Sequence, residues 1–67
     1  MSTSEYDRLC TVFMKTFASV PDPLRNEIIL VIEGKPYTWE TVFIEVKART
    51  RLSKMMLEQL KNLKIIE

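Results

Sequence analysis

Glu27-Ile28-Ile29-Leu30-Val31-Ile32-Glu33-Gly34-Lys35-Pro36-Tyr37-Thr38 is the stretch on which the fold turns. Ile28 to Ile32 form a short apolar run between two acids, and periodicity alone does not separate a strand from a buried piece of helix at this length. Read as a helix, the element starts at Asp22 as N-cap, with Pro23 at the first helical position where its missing N–H costs nothing. Leu24, Ile28, Val31 and Ile32 then share one face, Gly34 supplies a left-handed stop and Pro36 prevents continuation. Read as a strand, the β-branched run favours extended backbone and Gly34-Lys35-Pro36 forms a hairpin turn. The helix, roughly Pro23 to Glu33, is the preferred reading, and a central β-hairpin over about 27–46 is its alternative.

Upstream, Pro21-Asp22-Pro23 marks a break, because each proline drives the residue before it out of helical geometry. Before that break, Tyr6, Leu9, Cys10, Phe13, Phe17 and Val20 recur at spacings of three and four, which predicts a helix over Ser4 to Val20 capped by Ser2, Thr3 or Ser4. Val12 and Met14 widen its apolar stripe. Downstream, Thr38 is an N-cap for a helix that buries Trp39, Val42, Phe43 and Val46 and ends near Arg49. A last helix is capped by Thr50 or Ser53 and carries Leu52, Met56, Leu57, Leu60 and Leu63 on one face, after which Ile65 and Ile66 turn inward. The expected architecture is all-α: four helices in a single domain over 1–67, with an N-terminal helix in 1–20 and a three-helix unit in 21–67.

Sixty-seven residues, 46% hydrophobic and 28% charged, make one small folded domain whose core is marginal by size. Self-association is the expected supplement, as a homodimer through the first helix with Phe13, Met14 and Phe17 at the interface. Adjacent Met55 and Met56 cannot both be buried, so Met55 joins the candidate partner surface. Lone Cys10 forms no internal disulfide and the first residues lack a signal-peptide pattern, which points to a reducing, cytoplasmic setting. The apolar run at 28–32 is far short of the roughly 20 residues of a membrane span. Without His, and with one Cys and one Gly, the chain has no zinc finger, no Ser-His-Asp triad and no glycine-rich phosphate loop. Neither an enzyme, a cofactor nor a metal site is expected.

The residues from Leu24 to Glu67 resemble the helix-turn-helix core of winged-helix proteins. The first helix of that core corresponds to Leu24–Glu33, the turn to Gly34-Lys35-Pro36-Tyr37, the supporting helix to the one that starts after Thr38, and the recognition helix to the one that carries Leu57 and Leu60. The ending Leu60-Lys61-Asn62-Leu63-Lys64-Ile65-Ile66-Glu67 looks like the family's close. Lys64 stands where that family often has Gly, Ala48-Arg49-Thr50-Arg51 makes the bend between helices without Gly, and no wing follows. The resemblance implies a wingless helix-turn-helix that reads DNA with its last helix.

Charge gives a separate line to the same expectation. Residues 1–20 are neutral, 21–37 carry net minus one and 38–67 carry net plus two. Lys47, Arg49, Arg51 and Lys54 occur without an intervening acid around the start of the last helix, where phosphates and base edges would be met. Lys47, Arg49 and Lys54 are expected on the DNA backbone, Arg51 in the groove, and Thr50 and Ser53 as added hydrogen-bonding groups. A small DNA-binding regulator is the first functional expectation. The alternative is a protein-interaction or adaptor module that uses the apolar first helix and Met55 and binds no nucleic acid.

Overall fold

A computed structural model describes residues 3–66. The three-and-four periodicity of the first segment produces helix α1 (Thr3–Ala18), which buries Tyr6, Leu9, Cys10, Phe13 and Phe17. The expected cap at Ser2 lies outside the described residues.

The segment after the prolines corrects the all-α expectation. Asp22–Leu24 makes a single 3-10 turn, and the apolar run is strand β1 (Ile28–Ile32), paired antiparallel with β2 (Lys35–Thr38). The fold is therefore α+β, with three helices and one hairpin instead of four helices. Burial shows why. Leu30 and Ile32 point into the core while Val31 between them is exposed, a period of two that a strand satisfies and a helix does not. The helical reading needs Leu24, Ile28 and Val31 inside, and all three are exposed. Gly34 stops no helix. With Glu33 it forms a two-residue loop in which both residues have positive φ, 51° and 78°, the conformation of a type I′ turn whose twist matches a hairpin. Ile32 pairs with Lys35, Val31 with Pro36 and Leu30 with Tyr37, and a bulge precedes the pair Ile28–Thr38. The alternative hairpin thus forms, confined to 28–38.

Residues 39–48 are helical despite their strand-prone composition: α2 spans Trp39–Ala48. Its start is strongly determined. Thr38 Oγ1 accepts from the Thr41 N–H at 3.2 Å and Thr41 Oγ1 accepts from the Thr38 N–H at 2.7 Å, a reciprocal cap. The N–H groups of Trp39 and Glu40 are taken by the carbonyls of Glu27 and Arg25. All the donors at this helix end have partners within the chain. Helix α3 (Arg51–Asn62) follows, capped by Thr50, and Ile66 folds back into the core. The inner hairpin face packs on α3, and α1 lies across both α2 and α3. Among the described residues no helix is long and apolar enough to cross a membrane.

Helices α2 and α3 both end in the same way. After α3, Lys64 has φ 59°, its N–H bonds the Lys61 carbonyl at 3.0 Å and the Ile65 N–H reaches the Leu60 carbonyl at 2.9 Å. This is a Schellman ending, which glycine normally makes because a Cβ in left-handed backbone is strained. Relief of left-handed strain is worth about 1–2 kcal/mol and the added entropy of the unfolded chain takes back about 0.5–1 kcal/mol, so Lys64→Gly is expected to stabilise the fold by about 0.5–1 kcal/mol net, and Glu33→Asn in the hairpin loop acts in the same direction. Urea unfolding checks both; midpoints at or below that of the parent chain would contradict the strain argument.

Candidate functional site

The bend between α2 and α3 is made by Arg49, whose φ of 53° and ψ of 47° put it in the left-handed region. Its N–H bonds the Val46 carbonyl at 3.1 Å, and the Thr50 N–H bonds the Glu45 carbonyl at 3.2 Å. Thr50 then does three things at once. Its hydroxyl accepts the Ser53 N–H at 3.2 Å and donates to the Glu45 carboxylate at 2.6 Å, while its carbonyl accepts the Ser53 hydroxyl at 2.6 Å. Ser53 is fully buried, and its one hydroxyl proton is used on Thr50, so the Tyr6 hydroxyl donates to Ser53 Oγ at 2.6 Å. Burial pushes the Tyr6 phenol above its ordinary range. This buried hydrogen bond locks the start of α1 to the turn.

The cations expected on DNA are largely engaged by the protein itself. Arg49 Nη1 donates to Asp7 Oδ1 at 2.6 Å, and its guanidinium lies 5.5 Å from the centre of the Tyr6 ring. The Asp7 hydrogen bond raises the Arg49 pKa further. Lys54 Nζ sits 5.5 Å from the same ring, and Lys47 Nζ 5.9 Å from the Phe43 ring. Lys61 meets Glu5 at 2.6 Å and holds that carboxyl below its usual range. Of the six residues assigned to DNA, Ser53 is buried, Thr50 is a cap and Arg49 is paired with an acid; Lys47, Arg51 and Lys54 remain exposed. The outward face of α3 presents Arg51, Lys54, Met55, Glu58, Gln59 and Asn62.

The residues assigned to a partner surface are also divided. Phe13 and Phe17 are buried inside the single chain, with Phe13 5.9 Å from Trp39 and Phe17 stacked on Phe43 at 4.3 Å. Met55 is half-exposed on α3, and Met14 is partly exposed on α1.

What the fold brings together is a different set. An open groove of about 320 Å³ runs between α1 and the end of α2. Cys10, Met14 and Val46 give it an apolar floor, and Lys15, Lys47 and Arg49 stand around it. It joins Met14, from the partner set, to Lys47 and Arg49, from the DNA set. Sequence reasoning missed Lys15 and Thr11 as members; the available signal was their spacing with Met14 along one flank of the apolar stripe of α1.

Two pairs of variants examine this turn. Replacing Ser53 with Ala strands the buried Tyr6 hydroxyl and is expected to cost about 1–3 kcal/mol, more than Tyr6→Phe, which removes the donor itself. Both Arg49→Gly and Arg49→Ala lose the Asp7 pair, but only Gly relieves the left-handed backbone, so R49G unfolds at the higher temperature of the two. Thermal unfolding decides each comparison, and a reversed order in either would refute the bonding described.

Comparison with known protein families, curated proteins and solved structures finds no match to this chain.

Proposed function

We propose that the protein is an interaction module that holds an acidic, apolar-bearing segment of another protein in the groove between α1 and α2. The observation that carries this reading is that Lys15 and Lys47 flank the floor of Cys10, Met14 and Val46, with Arg49, held by Asp7, closing one end. Burial of a partner's apolar side chain on that floor is the attractive term, and its surplus over the cost of ordering the two partners is the affinity. The surrounding cations supply orientation and speed of encounter with an acidic segment. At about 320 Å³ the groove is at the small end of ligand sites, with room for one or two side chains. The buried, unpaired Cys10 fits a reducing compartment such as the cytoplasm.

DNA binding through α3 is the competing reading, favoured by Arg51 and Lys54 at the start of that helix. Its electrostatics are thinner. Affinity for DNA grows with the number of phosphates neutralised, and here Asp7 engages Arg49, Glu5 engages Lys61 and Glu58 lies on the exposed face of α3.

Fluorescence anisotropy separates the two readings with two labelled probes, each at low and moderate salt. One is a peptide with Glu and Leu recurring at helical spacing; the other is random-sequence duplex DNA. The peptide is expected to bind, and Met14→Glu and Lys47→Glu are each expected to weaken it at least about tenfold, or 1.4 kcal/mol. A peptide that does not bind, or that binds both variants equally well, overturns the proposal. Steeply salt-dependent DNA binding that disappears when Arg51 and Lys54 are replaced by Ala establishes the competing reading.

A further inference from the structure

The two strands of the hairpin present different outer edges. Ile32 and Lys35 flank the two-residue loop and form the hydrogen-bonded pair closest to it. Antiparallel pairs alternate between bonded and non-bonded, so the next pair, Val31 with Pro36, is non-bonded and turns its backbone groups outward. On β2 that outward position is a proline, which has no N–H to offer, and Lys35 stands beside it. Strand edges are commonly blunted by such residues. On β1 the outward position is Val31, whose N–H and C=O face away from β2, and among the described residues β1 pairs with no strand but β2 and Val31 makes no loop or cap bond. Val31 is 57% exposed and Ile28 60% exposed, and no Pro or cation interrupts the run between Glu27 and Glu33.

We infer that the outer edge of β1 is a strand-addition site for an extended segment of another protein with an apolar centre and basic ends. Backbone bonding to Val31 fixes the added strand, and apolar contact with Ile28 and Val31 favours β-branched residues in it. Glu27 and Glu33 stand at the two ends of β1, so a strand with Lys or Arg at both ends is complementary. A second copy of this chain is a poor occupant at full overlap. Antiparallel pairing of two β1 strands at full overlap, centred on Leu30, sets Glu27 against Glu33 at both ends, and like charges directly opposite are destabilising. Pro36 denies the β2 edge to a neighbour's β1. The site is separate from the groove between α1 and α2 and does not depend on the reading given to it.

The probes are two short peptides of alternating Val and Thr, one ending in Lys at both ends and one in Glu. With the intact chain, saturation by the Lys-ended peptide is expected to slow hydrogen exchange of the Val31 amide at least about tenfold, and this peptide is expected to bind about tenfold more tightly than the Glu-ended one. Val31→Pro removes the outward donor without touching a bond of the hairpin, so it abolishes binding while the helical spectrum and the hydrogen exchange of the Leu30 amide stay unchanged. Val31→Lys keeps the donor but adds a cation, and it weakens the Lys-ended peptide selectively. Unchanged exchange at Val31, or equal binding by V31P and V31K, overturns the inference. So does a dimer in sedimentation equilibrium that V31P dissociates, since the occupant is then a second copy.

Discussion

Two pairs of rings, each spaced by one helical turn, determine where the first helix lies. Phe13 and Phe17 on α1 meet Trp39 and Phe43 on α2, with Phe17 and Phe43 nearly parallel at an interplanar angle of 11°. The Arg25 guanidinium covers Phe17 at 4.5 Å and closes the row. Losing a buried phenylalanine costs about 3–5 kcal/mol, a large part of the 5–15 kcal/mol that holds a typical domain together. The local consequence is positional. With α1 fixed by these rings, Tyr6 arrives over Ser53, Asp7 reaches Arg49, Glu5 reaches Lys61, and Met14 and Lys15 come to face the end of α2.

Much of this fold is legible in the sequence where one signal acts alone. The start of α2 at Thr38 and of α3 at Thr50, the burial of Val42, Val46, Leu57 and Leu60, and the inward turn of Ile66 all follow from caps and helical spacing. The run from Ile28 to Ile32 is where two signals compete. Prolines, Asp22 and Gly34 punctuate it as a helix would be punctuated, and the apolar positions can be threaded onto a helical face. The hairpin prevails because the Glu33-Gly34 loop closes it and the two-residue alternation of the strand puts Leu30 and Ile32 together on the core side. A glutamate in left-handed backbone is not among the residues that advertise such a loop, so the sequence signal is weak.

The site was less legible than the fold, for a physical reason. The basic run from Lys47 to Lys54 is visible, but its meaning depends on acids far away in sequence. Asp7 lies 42 residues from Arg49 and Glu5 lies 56 residues from Lys61, and only the packing of α1 brings them together. In the same way Phe13 and Phe17 look like a surplus of apolar surface until Trp39 and Phe43 cover them. The groove draws on residues from two helices that no local pattern connects.

The unequal edges of the hairpin also bear on assembly. The β1 side of the sheet ends at Val31, which keeps its N–H, and the opposite side ends at Pro36, which has none, so the two edges are not equivalent. Addition of one copy's β1 edge to the β2 edge of the next lacks the bond that the Pro36 position would have to donate. Edge-to-edge growth of the sheet by this chain alone is therefore blocked on the β2 side, where Pro36 offers no N–H to a neighbour's strand.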